Sequence, residues 1–151
     1  MKSEFNTLRL EAEGAIARLT LNRPDRANGM TMEMGRELAA AMEAVRAASF
    51  RVLVVTGAGK FFCAGADIGE FERLQTSPPS EVQEAVRLFL SAIGALHRLP
   101  IPVIARINGD AFGGGAGLAL ACDLRVMAAR ARMGFVFARV GLAGADAGVT
   151  Y

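Results

Sequence analysis

Two stretches of this chain share one plan: "VLVVTGAGKFFCAGADI" (Val52 to Ile68) and "VIARINGDAFGGGAGLAL" (Val103 to Leu120). Each is a short apolar run, then a loop of small residues, then a helix start. A continuous apolar run without alternation suits a strand buried on both faces, as in parallel sheets covered by helices. Strands that alternate with helices in this way predict an α/β layered fold with largely parallel pairing.

The remaining segments fit around these two. Alternation in "TLRLEAEGAIARLTL" predicts a β-hairpin turning at Glu13-Gly14. After the Pro/Asn/Gly loop "NRPDRANG", residues Met34, Leu38, Ala41, Met42 and Val45 share one helical face. Asp67 is placed to cap a short helix. Ser80 and Gln83 have the spacing of a capping box for a helix running to about Leu99. Val86, Leu90, Ile93 and Leu96 form an apolar stripe on that helix, read as core or subunit packing. "DLRVMAA" is a further strand and "ARMGFVF" a short extended segment, with "RVGLAGADAG" a loop. No internal sequence repeat stands out, and the chain reads as one domain over residues 1–151.

Composition narrows the partners. The 151 residues are 52% hydrophobic with 21% charged, and the mean hydropathy is +0.32. That excess of apolar surface points to a subunit interface, because no run reaches the ~20 residues of a membrane span. The polar start "MKSEFNTLRLEAEG" lacks the apolar core of a secretion signal. A soluble, cytoplasmic protein is expected. Net charge is only +2, basic residues are scattered and there is no Trp, so nucleic acid is not an expected partner. Cys63 and Cys122 lack metal-ligand spacing and read as buried thiols.

A helix N-terminus offers free backbone N–H groups and the positive end of a dipole. Glycine there lets a ligand approach the backbone closely. At Gly113 to Gly115 a phosphate cradle would want a following Lys-Ser/Thr pair, which is missing. A dinucleotide fingerprint is matched only loosely, with no ribose-binding acid evident. An oxyanion held by two N–H groups remains, beside plain close packing of helix on sheet.

"LNRPDRANGM", "VLVVTGAGKFFCAGADIGEF", "LPIPVIARINGDAFGGGAGLALACDLRVMAARARMGF" and "VGLAGADAG" together resemble the enoyl-CoA hydratase/isomerase (crotonase) family, in that family's order. The resemblance implies a repeated ββα spiral, an architecture similar to that of Clp-type proteases, that binds an acyl-CoA thioester. It implies that the backbone N–H groups of Ala66 and Gly114 form an oxyanion hole for an enolate-like oxygen. Arg26, Ala27, Ala64, Ile68 and Gly113 become candidate substrate contacts, with Arg23 and Arg26 able to meet phosphates. Asp123 matches a family position read as structural. Coenzyme A enters as part of the substrate, so no separate cofactor and no metal are implied. A homo-oligomer, trimer or dimer of trimers, is implied as well.

The chain departs from the family's hydratase pattern. Where the two catalytic glutamates are expected, it carries Gly117 and Phe137, neither able to move a proton. Asp146, in a loop where several relatives carry a catalytic carboxylate, is the candidate for proton transfer. An apolar loop would raise its pKa. His97, the only histidine, has no evident triad partners, and Glu70 and Glu72 read as a solvated helix face. The expectation is an acyl-CoA-processing hydratase or isomerase, the alternative a non-catalytic acyl-CoA-binding or assembly subunit. The family's subunits are longer, so the chain reads as lacking their C-terminal helices.

Overall fold

The computed structural model describes residues 3–137. Strand β1 (Ser3–Glu4) lies beside β2 (Leu8–Glu13), which pairs with β3 (Ile16–Leu21) as the expected hairpin. The turn falls at Gly14 and Ala15, with Gly14 at φ +60°. Antiparallel register sets Leu8 opposite Leu21 and Leu10 opposite Leu19, all on the buried face.

From β3 onward the chain winds through one repeating step. A strand joins a large sheet, the next strand joins a small sheet, and a helix returns. Helix α1 (Met32–Ala47) carries the chain from β3 to β4 (Val52–Gly57), parallel to it. Strand β5 (Phe61–Cys63), α2 (Ile68–Gln75) and α3 (Pro79–His97) then lead to β6 (Val103–Ile107), parallel to β4. Strand β7 (Asp110–Phe112) and α4 (Gly114–Leu120) lead to β8 (Leu124–Met127), and β9 (Met133–Gly134) follows. The large sheet runs β1-β2-β3-β4-β6-β8, antiparallel from β1 to β3 and parallel beyond, and the small one β5-β7-β9 is wholly parallel. This is the expected ββα spiral.

The core lies between the large sheet and the helices. Thr31 caps α1 by accepting from the Met34 N–H, and Met34, Leu38, Ala41, Met42 and Val45 are all buried, as the periodicity predicts. Gly35 lets α3 come close, since a Cβ there would lie 3.0 Å from the Leu88 Cγ. Leu53, Val55, Val103, Ala105 and Ile107 bury one face of β4 and β6. Their other face is only partly covered, and Arg106 is exposed, so full burial on both sides is not reached.

Three further expectations change. Helix α3 has no side-chain cap; it starts at Pro79 behind Pro78, which puts Ser80 inside the first turn and not at its head. Proline supplies the helical φ and lacks the N–H that a cap would satisfy, so a Ser80–Gln83 box is not needed. The helix ends at His97, not Leu99. Its apolar stripe also divides: Ile93 and Leu96 are buried, whereas Val86 and Leu90 are 52% and 45% exposed. Cys63 and Cys122 are buried free thiols, as expected.

Candidate active site

The loop "NRPDRANGM" is built around one buried amide. Asn28 is fully buried at φ +54°, directly after Ala27 at φ +49°. Two consecutive non-glycine residues in the left-handed region are costly unless their surroundings hold them there. Here Asn28 Oδ1 accepts from the Arg23 N–H at 2.9 Å, while Nδ2 donates to the carbonyls of Ala58 and Phe61. Asn108, just after β6, mirrors it, accepting from the Gly57 N–H and donating to the Gly59 and Phe61 carbonyls. The two asparagines thus grip the turn between β4 and β5 from both sides. Neither was singled out by the sequence reading. The only local signal is the Asn28-Gly29 pair, a dipeptide tolerant of left-handed backbone.

This loop runs along the residues that follow β5. The Ala64 N–H donates to the Ala27 carbonyl (3.0 Å), the Met30 N–H to Gly65 (2.8 Å) and the Asp67 N–H to Met30 (2.9 Å). Candidate contacts Ala27 and Ala64 therefore form one ledge. Ala64 and Arg26 are exposed on it, Ala27 is half-buried, and Ile68 next to the ledge is 75% exposed. Arg23 differs from its expectation. It is committed inward, 2.9 Å from Asp67 Oδ2 and bonded to the Gly29 carbonyl. Asp67 does cap α2, accepting from the Glu70 N–H. Burial works to raise its carboxyl, but Arg23 and the Glu70 and Gly69 amides outweigh that and hold it below the usual carboxylate range.

The second loop meets the first at Gly65. This residue has φ +100°, and a Cβ on it would fall 2.9 Å from the Phe112 carbonyl and 3.4 Å from the Gly114 nitrogen. One residue further, at Gly115, a Cβ would lie 2.1 Å from the Cys63 carbonyl. Only glycine at both places lets these two backbones touch. Candidates Ala66 and Gly114 are thereby brought to one location. Ala66 precedes the Asp67 cap of α2, and Gly114 is the first residue of α4. Among the described residues neither N–H has an acceptor, because the bridge to Met30 uses the flanking Gly65 carbonyl and Asp67 N–H. Ala66 is exposed and Gly114 half-buried, while Gly113 is buried and donates to the Gly134 carbonyl.

The groups against the glycine turn are apolar. Phe137, 8% exposed, stands 3.5 Å from where a Gly113 Cβ would be, and Phe135 stacks beside it at 5.9 Å between centroids. Cys63 is buried, which pushes its thiol up to about 11, with a smaller opposing effect from a Gly65 backbone hydrogen bond. A thiol so protonated at neutral pH is no nucleophile. Gly117 is buried within α4. Asp123 is structural, its Oδ2 accepting from the Val103 N–H at 2.7 Å. Glu70 pairs with Arg73 at 2.9 Å, and exposed His97 ends α3. Asp146 lies outside the described residues. Among the described residues no helix is long and apolar enough to cross a membrane.

Comparison with known proteins agrees with this fold. A model of the enoyl-CoA hydratase/isomerase family matches residues 11–151. A putative enoyl-CoA hydratase of Thermus thermophilus is 40% identical over 137 residues, covering 88% of this chain and 53% of that protein. The 1,2-epoxyphenylacetyl-CoA isomerase of Escherichia coli is 39% identical over 132 residues, covering 86% and 50%. The crystal structure of an enoyl-CoA hydratase/carnithine racemase from Magnetospirillum magneticum superposes with a TM-score of 0.88 at 38% identity, covering 94% of this chain and 53% of that one. The chain thus spans about half the length of the relatives it matches. With a family model matching residues 11–151 and relatives of about 40% identity along nearly its whole length, the chain belongs to the enoyl-CoA hydratase/isomerase family.

Proposed function

We propose that this chain is the oxyanion-stabilising part of an acyl-CoA enzyme. In this reading the N–H groups of Ala66 and Gly114 hold the thioester oxygen as it gains charge, each donor contributing about 2.7–4 kcal/mol in the transition state. The observation that carries it is the meeting of two acceptor-free amides where Gly65 touches the Phe112–Gly114 turn. The CoA moiety lies along the ledge formed by Arg26, Ala27, Ala64 and Ile68, with exposed Arg26 facing phosphate. Asp146 moves the proton. With Gly117 and Phe137 in place of two carboxylates, a proton shift of the isomerase kind is easier to write than addition of water. Phe135 and Phe137 favour a bulky or aromatic acyl group. The protein works as a homo-oligomer in the cytoplasm.

Phe137 against Gly113 also supports a second reading, a subunit that binds acyl-CoA without turning it over, since the family resemblance implies a glutamate at that position. Turnover of a panel of enoyl-CoA and aryl-acyl-CoA thioesters, measured beside CoA affinity, separates the two. Turnover that falls in Asp146→Asn supports the first; binding without turnover of any thioester supports the second.

A further inference from the structure

The geometry points to Met30 as the positioning residue that sets the spacing between the two amides, an inference that rests on the oxyanion reading above. Met30 touches both. Its own N–H and carbonyl bond to the Gly65 carbonyl and the Asp67 N–H, the groups on either side of Ala66, so its backbone fixes the direction of the Ala66 peptide. Its side chain reaches the residue that carries the other amide: a Cβ built on Gly114 would clash with the Met30 Cε. Met30 is 4% exposed, and its backbone is held by the loop that Asn28 anchors. The methyl therefore rests on the first residue of α4 from a rigid support, and it keeps α4 from sliding toward Ala66. Ridding the site of that methyl leaves the Gly114 N–H intact but free to shift. Misplacement by about 1 Å of a positioned group is enough to cost about 100-fold in rate.

The same contact explains why residue 114 is glycine although its backbone does not demand one. It has no positive φ, unlike Gly113 at φ +52°. A side chain there would meet the Met30 methyl, the end of a flexible side chain, and displace it. Met30 and Gly114 are thus one fitted pair, and a change at one is compensated at the other.

The test uses the full chain and a [1-13C]-labelled crotonyl-CoA probe, with the carbonyl stretch of the bound thioester read by infrared difference spectroscopy. Met30→Leu and Met30→Ala are expected to bind the probe within about twofold of wild type, since the CoA ledge is untouched, while kcat falls about 10- to 100-fold. The red shift of the bound carbonyl shrinks in parallel. Gly114→Ala loses both in the wild-type background and regains part of them when combined with Met30→Ala. Should Met30→Ala melt too early to assay, Met30→Leu, which preserves bulk, carries the same comparison. A full red shift and unchanged kcat in the Met30 variants overturn the positioning role and leave the oxyanion hole standing. A wild-type complex with no red shift overturns the oxyanion reading itself, and the Met30 inference with it.

Discussion

At Asn28 a single side chain makes three hydrogen bonds and holds a left-handed backbone that its neighbour Ala27 shares. Removing it strands the Ala58 carbonyl and the Arg23 N–H, so Asn28→Ala should lower stability by about 2–3 kcal/mol in denaturant unfolding. Gly65→Ala is expected to be as harmful for another reason: φ +100° and a 2.9 Å approach to the Phe112 carbonyl leave no room. Asp67 carries a pH signature. Its carboxyl is held below its unfolded value of 3.8, so its stabilisation is complete above that value and is lost as pH falls through the lower folded one. The acid limb of a stability–pH curve should therefore flatten in Asp67→Asn. Gly113, at positive φ, and the Asp67 cap are legible from sequence, because each answers a demand of its own local backbone. Asn28, Asn108 and Met30 are not, because the groups they hold, such as the Phe61 carbonyl 33 residues from Asn28, are brought to them only by the fold.

Among the elements, α3 shows what periodicity can and cannot tell. The spacing of Val86, Leu90, Ile93 and Leu96 correctly assigns them to a helix, yet only Ile93 and Leu96 reach the core. The buried face is rotated toward Ala85 and Ala92, and Gly35 of α1 lets Leu88 and Phe89 approach closely. Ile93→Ala should then cost about 2–5 kcal/mol, whereas Val86→Gln should leave the melting temperature nearly unchanged. The head of α3 departs from the sequence pattern for a related reason: Ser80 and Gln83 have capping-box spacing, but Pro78 and Pro79 move the first turn upstream of them. Helix α2 stands apart in burying none of its residues. It is held at its ends, by the Asp67–Arg23 pair at one and by Arg73 bridging Glu70 and Glu81 at the other.

On the scale of the molecule, the spiral stacks its strands so that each turn adds one member to each sheet, and β8 ends the large sheet. Leu124, Val126 and Met127 on it are 58%, 63% and 41% exposed. An apolar edge strand of this kind promotes association. Sedimentation should find the chain associating with concentration, and Val126→Lys should weaken that association. The fold was legible from the alternation of apolar runs and small-residue loops, since parallel pairing leaves that mark. What lies against β8 was not, because edge exposure is a property of the assembled sheet and not of "LRVM" itself. The function rests on one spot in this architecture. Its most direct test is a crystal structure with an acyl-CoA bound. The thioester oxygen is predicted to sit about 2.7–3.1 Å from both the Ala66 and Gly114 nitrogens. An acyl-CoA whose carbonyl points away from that pair, or whose oxygen is gripped by side chains elsewhere, would contradict the account.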